Sequence, residues 1–287
     1  MKRPTIGRGI RSLSVSAVSL VVVAATHAQM GGSRQPASPV TTSIDQQQAE
    51  LHELTDVQTQ SGSSLPPKEI AAYKAFYSAN VEDIDKKIKL GHDFLEKYPK
   101  SQLAEAVEAG LANAYYEKQD WKDFYASADS ALALKPDDVD VLTAVGWVIP
   151  HFYNPNDPDA DKQLDKAATY EKHAMQVIST MPKPSYMTDA QFAASKNQKS
   201  VQAHSALGLI YFRRQDYDNS AKELEQTMQG NATPDPTDMY VLGVDLQNLK
   251  QYSQAADAYS KCAQIPGSLQ DRCNESAATA SKLAQLK

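Results

Sequence analysis

Apolar residues in this chain recur at helical spacing in short paired runs. The clearest run is Leu111 to Pro136. Leu111, Ala112 and Tyr115 share one face of a first helix, and Phe124, Ala128 and Ala131 share one face of a second. The polar turn Lys118-Gln119-Asp120 separates them, and Trp121 covers that turn. Small residues at Ala112, Ala128 and Ala131 allow close helix approach. Pro136 ends the second helix because proline supplies no backbone donor. So short a pair cannot bury its own apolar faces, and it must stack on similar neighbours.

Such neighbours follow along the chain. Val145-Gly146 repeats Leu111-Ala112 after about 34 residues. Leu207-Gly208, with Tyr211, Asp216-Tyr217 and Leu224, is another copy. Leu242-Gly243, with Tyr252, Ala255, Tyr259 and Cys262, is a further one. On these residues the region from Pro67 to Leu286 resembles the tetratricopeptide repeat (TPR) family. The resemblance implies an all-α TPR α-solenoid of about five antiparallel helix pairs. Glycine is sparse and no alternating Val/Ile run follows the N-terminal region, which argues against sheet.

Around this array the chain divides into three expected parts: a signal peptide at 1–28, a disordered linker at 29–66 and a helical repeat domain at 67–287. Lys2, Arg3, Arg8 and Arg11 precede the apolar run Leu13 to Ala25, and Thr26-His27-Ala28 offers small residues for cleavage after Ala28. The run is short of the roughly 20 residues a bilayer span needs, so cleavage is favoured over anchoring. The absence of a nearby cysteine and of an Arg-Arg pair fits general secretion, and periplasmic or secreted localisation is expected. The Ser/Thr/Gln/Pro-rich stretch from Gly31 to about Pro67 buries too little apolar surface to fold.

Within the array, Ile70, Tyr73, Phe76 and Tyr77 mark a first helix, and Ile84, Ile88, Phe94 and Leu95 a second, forming a degenerate terminal pair. The third pair departs most from the repeat. After Gly146 it reads Trp147-Val148-Ile149-Pro150-His151-Phe152-Tyr153, followed by the proline-broken insertion Asn154 to Asp161. Insertions in repeat arrays go to loops on one face, often the binding face. A long helix is expected from Thr188 or Asp189 to about Arg213. A terminal helix is expected from Leu269 to Leu286, with Leu283 and Leu286 covering the last pair.

The net charge of −6 at 287 residues is spread along the chain, with no basic patch for nucleic acid. Asp157, Asp159 and Asp161 alternate like the start of a calcium loop. Lys162 and Ala168 stand where such a loop needs glycine and glutamate, so a capping turn is the better reading and no metal is expected. The six histidines form no zinc-type pair, and no nucleophile elbow or phosphate loop is present. A non-enzymatic chain without cofactors is therefore expected.

Cys262 and Cys273 are the only cysteines. Export favours a disulfide between them, and two buried free cysteines are the other reading. Aligned with the TPR pattern, the concave groove is implied at Asn113, Tyr116, Glu117, Trp147, Leu209, Phe212, Arg213, Val244, Gln247 and Asn248, with Phe152 and Tyr153 beside it. Trp147 and Tyr116 equally suit packing between repeats. Of the carboxylate clamp known in the family, Asn113 matches one position, but Ala109, Ala144, Ser205 and Leu209 occupy others, so the clamp is not supported. The resemblance implies a protein-interaction scaffold that binds a peptide or helix. The alternatives are a small-molecule or glycan carrier near Trp147–Asp161 and an accessory subunit of an envelope enzyme.

Overall fold

A computed structural model describes residues 65–79, 83–185, 187–231 and 234–286. The expected leader and nearly all of the expected linker lie outside the described residues. The described residues form eleven α-helices and no strand. They are α1 (Pro67–Tyr77), α2 (Ile84–Lys97), α3 (Ala104–Glu117), α4 (Trp121–Leu134), α5 (Val139–His151), α6 (Ala160–Thr180), α7 (Asp189–Arg213), α8 (Tyr217–Gly230), α9 (Pro236–Asn248), α10 (Tyr252–Ala263) and α11 (Gln270–Gln285).

Consecutive helices pair as α1–α2, α3–α4, α5–α6, α7–α8 and α9–α10, and α11 packs on α10. First helices also meet their successors, closely at α5–α7 and also at α7–α9 and α1–α3. Successive second helices make no comparably close approach among the described residues. The row of first helices is therefore the inner, concave row. No described helix is long and apolar enough to cross a membrane.

Local chemistry sets the helix ends. Pro67 stands in the first turn of α1, where its missing donor has no intrahelical role. Asp120, Asp138 and Asp216 cap α4, α5 and α8 by accepting backbone N–H groups of Asp123, Val141 and Asn219. Thr188 and Gln191 close a capping box at the start of α7. The turns at α3–α4, α7–α8 and α9–α10 each use one left-handed residue, Gln119, Gln215 and Lys250, at φ of 57°, 60° and 61°. In α5–α6 the insertion replaces this turn.

Close approach within the α5–α6, α7–α8 and α9–α10 pairs depends on a residue without a side chain, and Ala112 takes that place in α3–α4. A Cβ on Gly208 would lie 2.6 Å from Leu224 Cδ2, and one on Gly243 would lie 2.5 Å from the Tyr259 ring. In the first pair the small residue sits elsewhere: Gly91 on α2 makes room for Leu111 and Phe76, and Gly110 on the following α3 also makes room for Phe76.

The structure corrects four expectations. The insertion is shorter as a loop than the sequence suggests, because α6 already starts at Ala160 and takes Asp161 into its first turn. Leu286 does not cover the last pair: it is 82% exposed at the very end of α11, where no element faces it. Tyr116 and Leu209 are buried at 2% and 3%, so they pack between helices and do not line a groove.

Candidate functional site

The site is built where the third pair meets its neighbours. Trp147 lies in the penultimate turn of α5, and Pro150 and His151 end that helix. Pro150 has no N–H to bond back to Gly146, and the chain leaves the helix at Phe152. Phe152 is thrown outward and remains 50% exposed. Its ring lies 4.2 Å from Trp121 at the start of α4, centroid to centroid.

Behind these rings Tyr116 forms a buried hub. Its ring lies 5.9 Å from Trp121, 6.3 Å from Phe124 and 6.4 Å from Trp147. Large rings thus bridge α3 and α5, which do not approach as closely as α5 and α7 do. Both readings of Trp147 and Tyr116 receive an answer. Tyr116 is core, while Trp147 is half-buried, with its inner edge packed and its outer part at the surface. Burial pushes the Tyr116 hydroxyl up to about 12, so it stays protonated.

Trp147 and His151 stack face to face at 3.5 Å. His151 Nδ1 donates to the Trp147 carbonyl, since a carbonyl only accepts, at 2.7 Å. That contact assigns the tautomer and leaves Nε2 as an acceptor. Desolvation lowers the histidine below its ordinary 6.5, so it is neutral at pH 7.

Arg213, at the end of α7, reaches across to α5. Its Nε donates to the Pro150 carbonyl at 3.1 Å, and its guanidinium lies 5.6 Å over the Tyr153 ring. No carboxylate pairs with it among the described residues. Burial lowers its pKa without making it neutral, because an arginine starts from 12.5. The next residue, Arg214, behaves differently and pairs with Asp165 on α6. Arg213 is therefore a half-buried cation whose charge no neighbour cancels.

The structure joins Arg213 to Tyr153 and to the Pro150 carbonyl and stacks Trp147 on His151, while the Phe152 ring lies against Trp121 of α4. Phe212 is half-buried and packs on Tyr217 of α8. Val244 and Gln247 are half-buried on α9, one step further along the inner row, and Asn248 is exposed there. Asn113 and Glu117 lie half-buried on α3, across the ring cluster. Burial raises the Glu117 carboxyl.

Asp157 and Asp159 serve their own turn: Asp157 Oδ1 accepts the Asp159 N–H at 2.9 Å, and Asp159 pairs with Lys162. No cluster of three metal-ligating side chains occurs among the described residues. His204 pairs with Glu223 at 2.7 Å between α7 and α8. Cys262 and Cys273 form a disulfide, Cα to Cα 5.8 Å, that joins α10 to α11.

Sequence reasoning missed the second-helix residue that faces each glycine. Glu171, on α6, takes the place that Leu224 and Tyr259 take in the next two pairs, against Gly146. It is fully buried, and neither carboxylate oxygen has a hydrogen-bond partner among the described residues. Burial raises its pKa well above 4.5. The signal was present: Glu171 stands four residues after Ala167, three before Ala174 and seven before Ile178, on the apolar stripe of α6.

No protein-family model matches this sequence, and no curated protein matches it. Among solved structures, a thermophilic TPR protein from Thermus thermophilus is similar. It shares 16% identity at a TM-score of 0.44, over 70% of this chain and 91% of that chain. The recurring glycine contacts, the left-handed turns and the single inner row of first helices are features of this molecule itself. The described residues form an array of antiparallel helix pairs. In that array the ring cluster and Arg213 mark the departure from a plain repeat.

Proposed function

We propose that this chain is a non-catalytic interaction scaffold that binds a protein segment, a peptide or a helix, along the inner face from α5 to α9. One observation carries the reading: at the α5–α7 junction a half-buried Arg213 that no carboxylate neutralises holds the Pro150 carbonyl, two residues before the exposed Phe152. Aromatic and arginine side chains of this kind dominate binding energy when a partner desolvates them. Gln247 and Asn248 continue the face with hydrogen-bonding groups suited to a peptide backbone.

Export to the periplasm or the exterior belongs to the same proposal. It rests on the N-terminal sequence and on the Cys262–Cys273 bridge, which fits an oxidising compartment. The small-molecule reading is weaker, because Trp147 already stacks on His151 and Phe152 on Trp121.

The test is a peptide-display selection against the mature chain, followed by titration of the selected peptides. Arg213→Ala and Phe152→Ser are each expected to weaken binding by tenfold or more. Gln226→Ala, exposed on α8 of the outer row, is expected to leave it unchanged. Equal affinities for all three variants would remove the basis for this site.

A further inference from the structure

α9 carries two buried carboxyls, and a count of hydrogens at one of them requires an extra proton. Asp238 and Asp245 are 2% and 0% exposed. Ser220, on α8, has its Oγ 2.9 Å from the Gly208 carbonyl and 2.6 Å from Asp245 Oδ2. A serine hydroxyl has one hydrogen and cannot donate to both oxygens at once. Both short contacts are satisfied if Asp245 is protonated: Asp245 Oδ2–H donates to Ser220 Oγ, and Ser220 Oγ–H donates to Gly208 O. This relay ties three helices together at one point. It starts on α9, passes through α8 and ends on α7 at the glycine where α7 and α8 touch most closely.

We propose that Asp245 is protonated in the closed array, and that loss of this proton loosens the joint between the α7–α8 pair and α9. The joint separates Phe212 and Arg213 from Gln247 and Asn248, so its opening changes the spacing of the inner face. That consequence rests on the binding reading above, whereas the joint itself does not.

The surroundings support the assignment. Asp245 faces Ser220 from α8, the Gly208 carbonyl from α7 and the Tyr259 ring from α10. Asp238 faces Ser205 of α7, whose hydroxyl donates to its Oδ1 at 2.9 Å, and Asp235 at the cap of its own helix. Among the described residues no cation acts on either carboxyl. Asp245 Oδ1 has no partner, so an anion there would be held by one hydroxyl alone. Burial raises Asp245 to about 8 and Asp238 to about 7. In the opened joint both groups regain water and return toward their ordinary 3.8. Opening is then favoured about tenfold per pH unit for each acid from roughly pH 4 up to its closed-state value, and it levels off above that.

Hydrogen exchange read by mass spectrometry tests this without any partner, so failure here leaves the binding site untouched. Protection of α9 amides, corrected for intrinsic exchange, is measured from pH 5 to 8 in wild type and in Asp245→Asn. The asparagine amide can donate to Ser220 as the protonated acid does, and it has no proton to lose. Wild-type α9 protection is expected to fall with pH. The variant is expected to lose about tenfold per pH unit of that dependence in α9 but not in α3 and α4. An unchanged slope in the variant overturns the proposal. So does an equal change in α3 and α4, which would mean global stability and no local joint. If circular dichroism shows the variant unfolded, Asp238→Asn is measured instead: the Asp245 contribution of about tenfold per pH unit is expected to remain in α9, and its absence there overturns the proposal.

Discussion

Replacing Glu171 by leucine should make the protein more stable, and the size of the gain follows from the structure. The Glu171 side chain lies over Gly146, with its Cγ and Cδ 2.6 Å from the place a Cβ would take. Leu224 lies over Gly208 in the same way, its Cγ and Cδ2 also at 2.6 Å, so the slot already accepts leucine one pair later. Glu171 pays twice for its position. Burial raises its carboxyl well above the 4.5 it has in the unfolded chain, so folding opposes its ionisation. That cost grows by about 1.4 kcal/mol per pH unit from 4.5 until the folded carboxyl ionises. Burying the unpaired polar group adds about 1–3 kcal/mol. Glu171→Leu removes both terms, a gain of about 1–3 kcal/mol at pH 4 that becomes larger at pH 7. Glu171→Gln removes only the first, so its gain is close to none at pH 4 and grows as pH rises. The direction follows from linkage. A carboxyl raised on folding contributes its full stability below 4.5 and loses it as pH rises through the folded value. Urea unfolding followed by Trp147 fluorescence, next to Gly146, measures the gain at both pH values. A variant less stable than wild type at pH 7, or a gap that does not widen with pH, refutes the reasoning.

Other outcomes follow from the same contacts. Gly243→Ala places a methyl group 2.5 Å from the Tyr259 ring and should destabilise by about 1–3 kcal/mol in thermal unfolding. Gln251 occupies the N-cap of α10 without a side-chain cap bond. Gln251→Asp, matching Asp120 and Asp216, should add about 1 kcal/mol in the same assay. Replacing both Cys262 and Cys273 by serine should lower stability by about 2–3 kcal/mol, and exchange protection of α11 should fall furthest. Phe152→Ser removes an exposed ring, so it should change stability far less than it changes peptide affinity.

The repeat period was legible because it depends on local rules. Apolar spacing, capping aspartates and prolines mark α3, α4 and α7 to α10 without reference to distant residues. Asp189 to Arg213 could be read as one helix because Thr188 and Gln191 form its cap locally. The groove was only half legible. Alignment places a residue on a helix, but the width of the neighbouring side chains decides whether it reaches the surface. Tyr116 is buried because Trp121, Phe124 and Trp147 close around it, and those contacts join three helices. Leu209 is buried by the next pair, a partner that the periodicity of its own helix does not show. Phe152 remains half exposed at the C-cap of α5, where its ring packs on Trp121 alone among the other aromatic rings of the described residues. The uncancelled charge of Arg213 and the proton on Asp245 were out of reach for a similar reason. Each depends on which groups lie opposite in space: a carbonyl for Arg213, and a hydroxyl already shared for Asp245.

The central claim is that partners bind the inner face at the α5–α9 junctions, and photo-crosslinking tests it most directly. A photoreactive residue placed at Gln247 in the full chain, expressed in its native cell, reports on that face. The same residue at Gln226, exposed on α8, reports on the outer one. The account predicts a discrete crosslinked partner from Gln247 and none from Gln226, with the Gln247 product lost when Arg213→Ala or Phe152→Ser is added. Equal products from both positions, or a Gln247 product that survives both substitutions, would contradict it.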